Sequence, residues 1–200
     1  MERLEHKKHK IEKVEPLRSE KEIKQFKSVL RSQGDDVNTT GFIGRRNEML
    51  FTFGINTGLR VSDIIGRKVS DIDKNHIIIR EKKTGKIRKV YLNPKLKRAL
   101  KSYIADENLS TDDWLFPSRR KGHITGSGVY KFMVKAGKLL GRDDIGTHTM
   151  RKTFGYQYYK RTNDIATLMQ LFNHSSQYIT LRYIGMQQKQ LDEKLKDFNL

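Results

Sequence analysis

The apolar pattern of this chain changes period once, and that change constrains the fold more than any other feature. His76-Ile77-Ile78-Ile79-Arg80-Glu81 and Ile87-Arg88-Lys89-Val90-Tyr91-Leu92 read as two strands joined by a tight turn at Thr84-Gly85. Everything around them carries helix signals. Ser19 followed by Glu22 is a capping box, which predicts a helix over 20–31. Met49, Leu50 and Phe53 form one stripe of a second helix over 45–56, stopped by Gly58. A short helix is expected at 61–66, and Pro94 opens another over 95–105. Residues 112–120, with the single Trp114 and Pro117, form a connector. Helices recur at 127–140, 148–160, 164–172 and 177–182, each preceded by Ser, Thr, Asn or Asp. No internal repeat or low-complexity block interrupts this order. The expected class is α+β, mainly α-helical, with one small antiparallel β-sheet inserted early.

The ends differ from the middle. Residues 1–18 alternate Lys, Glu and His and read as a charged linker or tail ending near Pro16. The main domain is then 19–186. Residues 187–200 place Leu191, Leu195 and Phe198 at spacings of four and three, the pattern of an amphipathic helix. Charge points to a polyanionic partner: 41 Lys plus Arg against 23 Asp plus Glu give a net +18 and a pI near 10.0. A pI above ~9 is the footprint of a nucleic-acid binder, although an anionic membrane surface attracts the same charge. The chain has no cysteine, so disulfides, thiolate nucleophiles and cysteine metal sites are excluded. The first ten residues hold no apolar signal core. The longest apolar run, 49–55, is far below the ~18 residues of a membrane span. A soluble, cytoplasmic protein with no membrane partner is expected.

Chemistry-bearing residues gather in order along the chain: Arg60, His148, Arg151, His174 and Tyr183. Two arginines, two imidazoles and a phenol are what metal-free chemistry on a phosphodiester needs. An arginine presents a planar fork of donors that matches phosphate oxygens and stays charged near neutral pH. A tyrosine oxygen can attack phosphorus and hold a covalent intermediate, splitting one hard step into two easier ones. Taken singly, each residue has a plainer reading: a surface pair on a basic helix, a helix cap, a turn residue, or one packing tyrosine among eight.

Together they resemble the tyrosine recombinase family, the phage-integrase type of site-specific DNA recombinase. Its first box is matched by Thr57-Gly58-Leu59-Arg60-Val61-Ser62-Asp63. The second is matched by His148-Thr149-Met150-Arg151-Lys152-Thr153-Phe154, and the third by Leu171-Phe172-Asn173-His174-Ser175-Ser176, with Thr180 and Tyr183 at the family spacings. Lys82-Lys83-Thr84-Gly85-Lys86 falls where the family keeps its catalytic lysine, and Val14-Glu15-Pro16-Leu17 resembles the start of its catalytic domain. Asn173 stands where glycine is usual, and Lys152 where histidine is commonest. Full-length members also carry an N-terminal domain that closes around DNA, and the resemblance implies that this chain corresponds to an isolated catalytic domain.

The resemblance implies a DNA breaking-rejoining fold and a role for each position. Tyr183 would attack the scissile phosphate, giving a 3′-phosphotyrosyl DNA and a free 5′-hydroxyl. Arg60 and Arg151 would clamp the non-bridging oxygens. His148 and His174 would add donors to those oxygens or move the Tyr183 proton. Lys83 would protonate the leaving 5′-oxygen, with Lys82 and Lys86 as alternatives, and Asp63 would orient the site. The implied partners are double-stranded DNA, further copies of the chain in a DNA-bound tetramer, and accessory DNA-bending proteins, with a place near the nucleoid. No cofactor, metal or ATP is expected, since the phosphotyrosine conserves bond energy. Residues 187–200 are expected to dock on a neighbouring subunit, with docking on their own domain as the alternative. Three rivals remain: a type IB topoisomerase, which shares the chemistry without partner exchange; a DNA-binding module without catalysis; and a metal nuclease built on Asp112-Asp113 or Asp143-Asp144.

Overall fold

A computed structural model of the chain describes residues 14–33, 41–72, 75–80 and 87–186, with 195, 196 and 199 beyond them. The described residues form eight α-helices and one two-stranded sheet, the expected class. Helix α1 (Glu20–Ser32) starts on the predicted capping box: Ser19 accepts from the Glu22 N–H at 3.1 Å, and Glu22 accepts from the Ser19 N–H at 2.8 Å. Its buried stripe, Phe26 and Leu30, lies against α2 (Phe42–Thr57). α2 begins three residues earlier than expected, because its N-cap is Gly41 in the left-handed region with no side-chain cap to advertise it.

The short α3 (Val61–Ile65) follows, then a single 3₁₀ turn at Val69–Asp71 that apolar periodicity does not announce. Strands β1 (His76–Arg80) and β2 (Ile87–Tyr91) pair antiparallel, with Ile77 opposite Val90 and Ile79 opposite Arg88. Ile77, Ile79 and Val90 turn into the core, whereas Ile78, Ile87 and Tyr91 on the other face are exposed. The expected turn at Thr84-Gly85 lies outside the described residues, as do Lys82, Lys83 and Lys86.

Helices α4 (Pro94–Asp106) and α5 (Gly126–Leu139) then complete the main core. The 112–120 connector is tied by two isolated bridges, Lys68 with Trp114 and Pro117 with His123. α6 (His148–Thr162) packs along α2, and α7 (Ile165–Phe172) and α8 (Gln177–Tyr183) fold back over it. These last three helices enclose a second, smaller cluster of Tyr156, Leu168, Phe172 and Ile184. The close approach leaves no room at Gly155, where a Cβ would stand 2.6 Å from Ile184 and 2.8 Å from Phe172.

One boundary needs correction. The charged tail was expected to run through residue 18, yet residues 14–18 are woven into the domain. Leu17 is 1% exposed, and its N–H donates to Thr153 Oγ1 at 2.9 Å. Lys152 Nζ donates to the Val14 carbonyl at 2.6 Å, and Gln157 donates to the carbonyls of Leu17 and Arg18. The alternation of charges masked one apolar anchor and a run of backbone groups that α6 satisfies. At the other end, residues 187–194 lie outside the described residues. Leu195 is described and is 63% exposed.

Candidate active site

The Arg60 segment is placed by the end of α2. Gly58 caps that helix at φ +63°, and a Cβ there would meet the Phe154 ring at 2.4 Å, so both backbone and space call for glycine. The chain then turns through Leu59 and Arg60, the N-cap residue of α3. Arg60 is exposed; its carbonyl accepts from the Asp63 and Ile64 N–H groups, while its side chain makes no hydrogen bond to a described residue. It lines a pocket of about 210 Å³ with Leu59, Val61, Ser62, Thr147, His148 and Arg151. The N-terminus of α6 lines the same pocket, and Thr147 makes no side-chain cap there. The positive end of the helix is therefore left to favour an anion.

Arg151 is held quite differently. It is 3% exposed, and it donates to the Gly58 carbonyl at 2.5 Å and to the Phe172 carbonyl at 3.1 Å. Its guanidinium lies 4.2 Å from the centroid of the Phe172 ring. Three elements thus fix one fork: the end of α2, the end of α7, and α6 itself. Burial pushes its pKa down to about 10, with Arg60 and Arg88 pushing the same way and Tyr183 opposing. It remains a cation near neutral pH. From β2, Arg88 donates to the Leu171 carbonyl, so two arginines hold consecutive carbonyls at the end of α7.

Tyr183 ends α8 with its hydroxyl 3.0 Å from His148 Nδ1. His174 stands edge-on to the same ring, the centroids 5.2 Å apart, and Phe172 does likewise at 5.4 Å. His174 Nδ1 lies 3.1 Å from Thr180 Oγ1, which leaves Nε2 turned away from that contact. Asn173 takes the left-handed conformation, φ 54° and ψ 48°, that the usual glycine would supply. Burial lowers the pKa of His148, aided by Arg151, Lys152 and Arg60. Burial first, then Arg151 and Arg60, lowers His174 as well. Burial raises the Tyr183 phenol, and Arg151 and Arg60 draw it back only in part. The resting site therefore holds a neutral phenol against neutral imidazoles, flanked by two cations.

The structure thus brings Arg60, His148, Arg151, His174 and Tyr183 together. Asp63 makes no side-chain hydrogen bond to a described residue and reaches the cluster only through its charge on Arg151. Lys83 and its alternatives lie outside the described residues. The acidic pairs are engaged elsewhere: Asp113 accepts from the Ser110 N–H, and Asp144 is bidentate to Arg142. Among the described residues no three His, Asp or Glu side chains cluster as metal ligands would, and no helix is long and apolar enough to cross a membrane. Reading the sequence missed Phe172 as a seat for Arg151 and Lys152 as a neighbour of Tyr183. Both sit inside the quoted boxes, where they looked like spacers.

The phage integrase family matches residues 5–190 of the chain. A probable integrase/recombinase, YoeC, of Bacillus subtilis (strain 168) is 39% identical over 175 residues, 86% of this chain and 90% of its own length. The tyrosine recombinase XerC of Thermodesulfovibrio yellowstonii is 28% identical over 162 residues, 76% of this chain but 54% of its own. Likeness of fold extends to the crystal structure of XerA recombinase, with a TM-score of 0.70 at 24% identity, covering 92% of this chain and 63% of that one. It extends also to XerH site-specific recombinase in a post-cleavage complex with palindromic difH substrate, at TM-score 0.69 and 21% identity, covering 91% and 52%. The chain therefore spans little more than half the length of several proteins it matches.

Proposed function

Since the chain belongs to the phage integrase family, we propose that it is a site-specific DNA recombinase that cuts and rejoins strands through a 3′-phosphotyrosyl intermediate, with neither metal nor ATP. One observation carries this reading. The Tyr183 hydroxyl lies on His148 Nδ1, beside His174, with a buried, locked arginine and an exposed one within electrostatic reach.

A scissile phosphate entering the pocket meets Arg60 on its open side and the remaining donors of Arg151 on its buried side. Because Arg151 is already fixed by two carbonyls and a ring, it needs little reorganisation as charge develops on the non-bridging oxygens. His148, neutral and in contact with the phenol, takes the Tyr183 proton as the phenolic oxygen bonds to phosphorus. His174, whose Nδ1–H donates to Thr180 Oγ1 while that hydroxyl donates to the Ser176 carbonyl, donates from Nε2 to a non-bridging oxygen once the entering phosphate favours its protonated form. The bond from phosphorus to the 5′-oxygen breaks, and Lys83 supplies the proton that the alkoxide needs. A 5′-hydroxyl from another strand then attacks the phosphotyrosine, its proton passing to the now neutral Lys83, and Tyr183 leaves as the proton returns from His148. Asp63 adds negative charge that steadies Arg151.

The implied partners are double-stranded DNA and further copies of the chain, gathered as a tetramer on the recombining sites with DNA-bending proteins where the sites demand them. The net charge of +18 suits such a partner and a place near the nucleoid. The domain proper then covers 14–186, with 187–200 exchanged between subunits. Nicked suicide DNA, incubated with the protein in excess chelator, tests the reading. A covalent protein–DNA adduct is expected, and Tyr183→Phe should abolish it while DNA binding persists. Adduct that requires added metal, or that survives Tyr183→Phe but not Tyr178→Phe or Tyr159→Phe, would contradict it.

A further inference from the structure

Lys152 is where the second box departs from its commonest form, and the geometry gives it two contacts at once. Its Nζ donates to the Val14 carbonyl at 2.6 Å and lies 5.4 Å from the centroid of the Tyr183 ring. The residue is 8% exposed, so this ammonium is not a surface charge waiting for phosphate. An ammonium over an aromatic face is attracted by the ring quadrupole, more strongly where water is excluded.

The strap that Lys152 grips also holds the far end of α8. Arg18 Nη2 donates to the Gly185 carbonyl at 3.0 Å and to Glu15 Oε2 at 2.9 Å, and its guanidinium lies over Tyr156 at 5.0 Å. Gly185, at φ +72°, is pressed against this clasp: a Cβ there would meet Glu15 Oε2 at 2.8 Å and Arg18 Nη2 at 3.0 Å. Residues 14–18 are therefore linked to the C-terminal end of the nucleophile helix at two points, through Lys152 to the Tyr183 ring and through Arg18 to Gly185 two residues beyond it. α8 is only seven residues long, and at its start Ser176 caps the Ile179 N–H. A helix so short has little stability of its own and takes its position from what grips it.

We propose that Lys152 is a positioning residue for Tyr183, clamping the phenol ring to the 14–18 strap, with Arg18 closing the clasp at Gly185. The inference rests on Tyr183 being the nucleophile. Chain entering the domain at Val14 is then coupled to the reacting tyrosine, so that strain on the strap is felt at the phenolic oxygen. Charged and titratable groups facing that ring are His148, Arg151 and Lys152 from α6, His174 from the turn before α8, and Arg60 from the turn after α2.

Lys152→Met keeps the aliphatic stem and removes the ammonium. With saturating suicide DNA, its maximal rate of adduct formation should fall roughly ten- to a hundredfold, the scale of a displacement near 1 Å. Its DNA affinity and salt slope should stay as in the wild type, whereas a lost phosphate contact would lower the log–log slope by ~0.9. Lys152→Arg should recover most of the rate. Fluorotyrosine incorporation supplies a readout independent of cleavage. The ¹⁹F signal that disappears in Tyr183→Phe should shift or broaden in Lys152→Met without DNA, even if the wild type proves unable to form adduct. Should Lys152→Met not fold, Arg18→Gln, at a partly exposed position, decides the matter by moving the same signal and slowing the same step. A wild-type adduct rate with an unmoved Tyr183 signal in the folded variant overturns the proposal.

Discussion

Helix α1 meets the rest of the protein through Phe26 and Leu30, whereas α6 buries Thr149, Arg151, Lys152 and Thr153 beside Met150 and Tyr156. The first is a surface helix with one apolar stripe, and it begins on a capping box. The second has no stripe and no side-chain cap. It is held by polar contacts to distant parts of the chain: Arg151 to Gly58 and Phe172, Lys152 to Val14, Thr153 to Leu17, and Gln157 to Leu17 and Arg18. The apolar clusters follow the same division. The main core joins α1 to α5 and the hairpin, with Met150 of α6 as its one residue from the last three helices, while α6 to α8 share a small cluster rich in aromatic rings. Apolar burial makes the scaffold, and a buried polar network makes the site. Such a network leaves desolvated donors and acceptors unpaired when one member is lost, so it fixes geometry more sharply than burial does.

If that division is right, substitutions in the two regions should separate stability from chemistry. The largest expected effect is Phe26→Ala, which empties a buried ring site between α1 and α2 and should cost about 3–5 kcal/mol of stability. Cleavage per folded molecule should be unchanged, as a denaturant titration combined with active-site titration by suicide DNA would reveal. A specific loss of cleavage in the folded fraction would break the division. Arg151→Lys comes next. It keeps the charge but loses the planar fork that spans Gly58, Phe172 and the pocket, so adduct formation should fall by two to three orders of magnitude or so. Wild-type rates in this variant would mean that the site needs a point charge only.

A smaller effect sharpens the account of the imidazoles. Burial and the neighbouring cations hold His148 and His174 below the ordinary histidine value of ~6.5. Because the folded pKa lies below the unfolded one, the folded state binds fewer protons. Stability from these groups is present above ~6.5 and is lost as pH falls toward and through the folded values. The same sign governs catalysis. At low DNA concentration the second-order rate of adduct formation should be level near pH 7 and decline in acid, with its midpoint below ~6.5. A midpoint above that value would count against a neutral His148 as the proton acceptor.

The contrast also explains what the sequence let one read. Elements with apolar stripes or start signals, such as α1 with Ser19 and Glu22 or α4 with Pro94, were legible to within a residue or two. Where position is set by tertiary contact, nothing local announced it. α2 starts on a left-handed glycine, the 3₁₀ turn at Val69–Asp71 is too short for periodicity, and residues 14–18 looked like solvated charge until Leu17 was seen buried. The candidate site was legible in its titrating and charged members because their order and spacing matched a family pattern. Its supports were not. Phe172 reads as one more apolar residue at a helix end, and Lys152 as one cation among forty-one.

In the proposed reaction Tyr183, served by His148 and two arginines, becomes joined to a DNA 3′-phosphate. The most direct measurement isolates the adduct formed on suicide DNA in chelator, digests protein and DNA, and determines the linked peptide and nucleotide by mass spectrometry. One modified peptide is expected, with a 3′-phosphonucleotide on Tyr183 and a free 5′-hydroxyl on the released strand. Linkage to another residue, or a 5′-phosphate on the protein, would contradict it.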